Sequence, residues 1–117
     1  MNESLNIGCV VYKETDTGIK ADWVFSRNDK IEKGEGMGVR SDKSNKKRGF
    51  EGEYEITYTD ENGNKSPKLK LFISLESEYY SLKWINNETI TDFGIGIEND
   101  NKLIVIYSEF NERLNLL

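Results

Sequence analysis

The sequence contains no histidine, and only one cysteine and one proline among its 117 residues. Without histidine, the usual zinc sites and the Ser-His or Cys-His nucleophile pairs are unavailable. The lone Cys9 excludes an intramolecular disulfide framework and reads as a small buried hydrophobe. No apolar run approaches the roughly 20 residues of a membrane-spanning helix. The opening MNESLNIGCVV lacks the basic start and long apolar middle of a signal peptide. These absences lead us to expect a cytoplasmic protein that is not an enzyme, holds no cofactor or metal, and has no membrane partner. The net charge of −5 adds the expectation of no nucleic-acid partner.

What the chain does contain is patterned. Charged residues make up 32% and hydrophobic ones 36%, a polar balance, yet the aromatic residues recur in regular strings that argue for folding. The length fits one domain over residues 1–117. The dominant period is two. In FEGEYEITYTD, Phe50, Gly52, Tyr54, Ile56 and Tyr58 alternate with Glu51, Glu53, Glu55, Thr57 and Thr59, so one face is buried and the other wet. Asn62-Gly63 then predicts a two-residue type I′ turn. That turn sets Ile56 opposite Leu69, Tyr54 opposite Leu71, Gly52 opposite Ile73 and Phe50 opposite Leu75, with Glu55 facing Lys70 and Thr57 facing Lys68.

Two further loops extend the same inner surface. A turn at Ser77-Glu78 pairs Leu75 with Tyr80, Ile73 with Leu82 and Leu71 with Trp84. A turn at Asn87-Glu88 predicts Leu82 against Phe93 and Tyr80 against Ile95. For GIENDNKLIVIY, a three-residue loop pairs Ile97 with Leu103 and a two-residue loop pairs it with Ile104; the pattern allows both. Upstream, IKADWVFS places Ile19, Ala21, Trp23 and Phe25 on one face, while NIGCVVY is apolar on both, the mark of a strand with both faces covered. With GEGMGVR the count reaches about eight strands, and SEFNERLNLL at the C-terminus is the one candidate for a short helix. The expected fold is all-β: an antiparallel up-and-down meander of about eight strands, closing into a small barrel because closure removes sticky edges.

The short meander, its GxG strands and its aromatic interior resemble a small calycin-type barrel, the group of lipocalins, avidins and fatty-acid-binding proteins. They are also similar to the small barrel regulators that sequester bacterial transcription activators. The resemblance covers nearly the whole chain at the level of architecture. The early G-x-W strand of many lipocalins is absent, since Gly8 is followed by Cys9 and Val10 and Trp23 falls on the next strand. The resemblance therefore implies a closed barrel and carries over no ligand contact.

The stretch GEGMGVRSDKSNKKRG, residues 34–49, invites a phosphate-binding reading that its spacing refuses. Gly34, Gly36 and Gly38 recur every second residue, and no Gly-Lys-Ser/Thr follows. Alternate glycines leave one strand face bare, which permits close approach by neighbouring groups, and FGIGIEND repeats the device with Gly94 and Gly96. The segment that follows holds Arg40, Lys43, Lys46, Lys47 and Arg48 against Asp42, a local +4 that leaves −9 on the rest of the −5 chain. Glu51, Glu53 and Glu55 line one face of a single strand, unlike the two facing acids of a glycosidase cleft.

Trp23, Phe25, Phe50, Tyr54, Tyr58, Tyr80, Trp84 and Phe93 all fall on inferred inward faces. An eight-stranded interior is either filled by such side chains or holds one small ligand, and both outcomes stay open. Two functions follow as expectations. The first is a binding module that contacts another protein, as an inhibitor or regulator does, through Arg40, Lys43, Lys46, Lys47 and Arg48 and through Glu51, Glu53 and Glu55. The second is a carrier of a small apolar or aromatic molecule among Trp23, Tyr54, Tyr80 and Trp84.

Overall fold

Period-two alternation gives each strand one apolar face, and eight such strands bury those faces most completely by closing on themselves. The computed structural model, which describes residues 6–41 and 49–110, has this form. Its strands are β1 (Ile7–Glu14), β2 (Gly18–Arg27), β3 (Lys30–Arg40), β4 (Gly52–Asp60), β5 (Leu69–Leu75), β6 (Tyr80–Asn86), β7 (Thr89–Asn99) and β8 (Lys102–Glu109). Each pairs antiparallel with the next, and β8 returns to β1 to close the barrel. Among the described residues there is no helix. The helix candidate SEFNERLNLL begins inside β8, and residues 111–117 lie outside the described residues.

Three of the hairpins turn on two residues with positive φ, at Asn28-Asp29, Asn87-Glu88 and Asp100-Asn101, the type I′ geometry that matches strand twist. The last of these settles the final hairpin, pairing Ile97 with Ile104. At Ser77-Glu78 the expected pairing of Leu75 with Tyr80 is present, closed by a bond from the Glu76 amide to the Tyr79 carbonyl.

The β4–β5 hairpin reaches its expected register by a different route. Gly63 alone takes a positive φ at the tip, and Asp60 and Asn64 flank a three-residue loop in which the Asp60 carboxylate accepts from the Asn62 and Asn64 amides at 2.9 Å. The offset this creates, with Thr59 bridging to Lys65, is taken up at Pro67, which cannot donate to a ladder. Beyond it Ile56 faces Leu69, Tyr54 faces Leu71 and Glu55 faces Lys70 as expected, whereas the expected facing of Thr57 and Lys68 is not formed.

Between β6 and β7 the expectation is overturned. The ladder slips by one residue between Trp84 and Ile85, so Leu82 faces Gly94 and Tyr80 faces Gly96 in place of Phe93 and Ile95. A one-residue slip exchanges the two faces of a strand. Phe93, Ile95 and Ile97 consequently point out of the barrel, and Gly94 and Gly96 point in.

The core fills most of the interior. Tyr12, Ile19, Phe50, Tyr54, Ile56, Leu71, Leu82, Leu103 and Val105 are fully buried there. Small residues make room for large ones: the Tyr58 ring lies where a Cβ on Gly36 would sit, and Ile19 and Ile56 crowd the same space at Gly38. One end is plugged by Phe50, whose ring meets Tyr80 edge-on at 6.4 Å and whose carbonyl accepts the Tyr54 hydroxyl at 2.7 Å. The other end, where β2 ends at Arg27 and β8 at Glu109, keeps a pocket.

Candidate functional site

Two features stand apart from ordinary barrel construction: the pocket at one end and an apolar stretch of outer wall. The pocket encloses about 170 Å³, and its walls are largely aromatic, formed by Trp23, Phe25, Tyr58, Trp84 and Tyr107. Tyr107 stacks on Phe25 with 5.6 Å between ring centroids and tilts against Trp84 at 5.5 Å. At the floor, the Trp84 indole N–H donates to the Tyr58 hydroxyl at 2.7 Å, and the Tyr58 and Tyr12 hydroxyls share a hydrogen bond of the same length. Burial drives the Tyr12, Tyr58 and Tyr107 hydroxyls well above the usual phenolic range, so all three stay protonated.

The mouth of the pocket is charged. Arg27 donates from Nη1 to Glu109 Oε2 at 2.8 Å, lies 3.8 Å from Glu32, and covers the Phe25 ring at 4.8 Å. Asp92 enters from β7 through the slipped ladder, opposite Trp84 and Glu109. It is half-buried, and burial first of all raises its carboxyl above the ordinary value, against the opposing pull of a Thr91 hydrogen bond.

On the outer wall, Phe93, Ile95 and Ile97 of β7 are 47%, 58% and 57% exposed, and Ile106 of β8 is 54% exposed. The ladders join them laterally: Ile95 faces Ile106, which faces Cys9, which faces Val24, while Ile97 faces Ile104, which faces Val11. Ile7 completes the patch beside a depression of about 250 Å³ that Phe93, Ile95 and Ile106 also border. The sequence pattern of β1 predicts a covered outer face, yet among the described residues Ile7 and the isoleucines Ile95, Ile97 and Ile106 remain exposed. Along one edge of the patch, Lys102, Lys13 and Lys20 face one another across β8, β1 and β2. Among the described residues no carboxylate approaches these lysines within 4 Å. The opposite side of the barrel presents Glu53, Glu55, Lys70 and Lys83 on β4, β5 and β6, with Phe72 between Glu53 and Lys83.

The residues singled out from sequence divide accordingly. Trp23 and Trp84 line the pocket, whereas Tyr54 and Tyr80 belong to the plugged end. Phe93, expected inside, is outside. Arg40 donates to the Tyr54 hydroxyl at 2.8 Å and to the Glu51 carbonyl at 2.7 Å, with its guanidinium over the Tyr54 ring. Glu53 accepts from the Ser41 hydroxyl, the Glu51 carboxylate accepts from the Leu75 amide, and Glu55 stands opposite Lys70 on the exterior. Lys43, Lys46, Lys47 and Arg48 lie outside the described residues. Sequence reasoning missed Asp92, Tyr107 and the β7–β8 outer face; the signal available was the apolar outer face of β1 and the alternate glycines of β7. No protein-family model, curated protein or solved structure matches this chain.

Proposed function

We propose that this protein is a non-enzymatic binding module that works by contact with another protein, through the outer face of β7, β8 and β1. The supporting observation is the exposed run of Phe93, Ile95, Ile97, Ile106 and Ile7 around the half-buried Ile104, edged by the ladder of Lys102, Lys13 and Lys20. Apolar surface left in water costs roughly 25 cal/mol per Å², and contiguous patches with polar rims mark interaction sites. Like charges placed opposite one another across strands also oppose folding. Both costs are relieved together by a partner whose apolar surface is bordered by carboxylates. Glu109 and Glu32 are already engaged by Arg27, and Asp22, opposite Val11, is an exposed acid bordering the patch itself. Contact of this kind acts by occupancy, as an inhibitor or regulator does.

The test compares the native protein with Ile95→Asp, with Lys13→Glu/Lys20→Glu, and with Lys70→Glu on the opposite wall. A protein partner captured by the native chain and by Lys70→Glu, lost with either patch variant, and bound stoichiometrically when purified supports the reading. Equal capture by all variants overturns it. So does concentration-dependent self-association through the patch, or binding to anionic vesicles that the patch variants abolish.

A further inference from the structure

Both tryptophans of the chain, Trp23 and Trp84, line the end pocket together with Phe25, Tyr58 and Tyr107. Aromatic faces carry negative quadrupole potential and attract cations most strongly where water is scarce. The charged residues in the lining are Arg27, Glu32 and Asp92. Arg27 is committed to Glu109 and Glu32, and its face is stacked on Phe25. Asp92 makes no ion pair within 4 Å among the described residues. Three carboxylates, Glu32, Asp92 and Glu109, thus surround one guanidinium, which leaves a local charge of −2 at the mouth.

Each ligand class meets this arrangement differently. An anion encounters the Asp92 carboxylate, and the one cation in the lining, Arg27, is already paired with Glu109 and Glu32. A neutral apolar molecule fills the aromatic walls but desolvates Asp92 further without a partner. A cation gains from the ring faces and from the carboxylate at once.

We propose that this pocket binds a small organic cation, an alkylammonium or quaternary ammonium head seated between the aromatic walls and Asp92. The volume of about 170 Å³ suits a head group with a short tail. The same chemistry is offered by a free amine and by a methylated lysine side chain of a peptide. This site goes beyond the protein-contact reading and does not depend on it, because Asp92 and Phe93 direct the two features to opposite faces of β7.

Because both tryptophans line the pocket, intrinsic fluorescence reports on it directly. The experiment titrates the native protein with tetramethylammonium, phenethylamine and a trimethyllysine peptide, and with 3,3-dimethylbutanol as the uncharged counterpart of choline. The expected result is saturable quenching or a spectral shift by the cations, confirmed by calorimetry, with the neutral alcohol about 10-fold weaker, as cation–π and ion-pair energies imply. Asp92→Asn, which removes a half-buried charge and should remain folded, is expected to weaken the cations about 10-fold and leave the alcohol unchanged. Saturation by the peptide but by neither free amine assigns the site to a side chain, the reverse to a metabolite, and either result supports the proposal. Equal affinity for alcohol and cation, or no saturable response to any cation, overturns it without reference to any variant.

Discussion

Asp92 stands opposite Trp84, a position that an unbroken ladder from the Asn87-Glu88 turn would give to Thr91. Thr91 is the extra residue. Its hydroxyl reaches the Trp84 carbonyl at 3.4 Å, and its own carbonyl accepts the Phe110 amide at 2.8 Å. This one bulge brings Asp92 into the pocket, turns Gly94 and Gly96 toward the core, and sends Phe93, Ile95 and Ile97 outward. Both the pocket's acid and the outer apolar wall therefore follow from the same local irregularity.

The slipped register has an asymmetric mutational signature. On the outside, Ile95→Thr is expected to change stability by less than about 0.5 kcal/mol, as exposed positions do. On the inside, Gly96→Val would drive a side chain into Val105 and the Ile104 carbonyl, which lie 2.8 and 2.9 Å from where its Cβ would be. Overpacking of this kind costs about 1–3 kcal/mol. Urea denaturation of the two variants measures the contrast, and the reverse ranking would contradict the register described.

The Tyr58 hydroxyl is a shared partner for the Trp84 indole N–H and the Tyr12 hydroxyl, both at 2.7 Å. Tyr58→Phe strands both groups in the interior, and an unsatisfied buried group costs about 1–3 kcal/mol. Tyr12→Phe removes one bond and leaves Trp84 served, so it should cost less. A double-mutant cycle read by urea denaturation should show that the two losses are not additive.

Much of the fold is legible in the sequence because period two, turn chemistry and cross-strand pairing agree over most of the meander. The β4–β5 register is reached even though its turn is not the expected one: the offset at Gly63 and the interruption at Pro67 cancel. No such cancellation occurs at Thr91. Ile90, Thr91, Asp92 and Phe93 carry no glycine or proline to mark a bulge, and inward placement of Phe93, Ile95 and Ile97 is what burial alone favours. The competing demand is room, since Trp84 and Val105 occupy the space that side chains at 94 and 96 would need. Packing across the barrel decides that register, and packing is not written locally. The pocket was legible only in part for the same reason. Trp23 and Trp84 carried an aromatic signal, whereas Asp92 and Tyr107 join them only through the bulge and the return of β8 to β1.

Arg40 looks from sequence like the first member of a basic contact segment, but its guanidinium is bonded to Tyr54 and to the Glu51 carbonyl and stacks on the Tyr54 ring. Arg40→Gln is expected to lower stability by about 1–2 kcal/mol through these hydrogen bonds and the lost cation–π contact. Thermal unfolding should detect the loss. A variant of unchanged stability would show instead that the side chain is available for a partner.

The pH dependence of stability should carry the imprint of Asp92. Burial raises its folded carboxyl above the ordinary value of 3.8, with Glu109 adding to the rise and Thr91 and Arg27 opposing it. The folded state then holds more protons than the unfolded state across the interval above 3.8. Stability must fall as pH rises through that interval, and above it the ionised carboxylate remains a constant burden. Asp60 works in the opposite sense: its folded carboxyl is lowered by hydrogen bonds from Asn64, so its contribution is present above 3.8 and lost as pH falls. The two act in adjoining windows on either side of 3.8, and a wild-type profile alone mixes them. Subtracting the profile of Asp92→Asn isolates the first, because Asp60 sits at a separate hairpin tip and is unaltered. The expected difference is a variant that melts higher than wild type at neutral pH and gains nothing near pH 3. A variant that melts lower at neutral pH would mean that the Asp92 charge is already satisfied within the barrel, and that the pocket has no need of a cation to complete it.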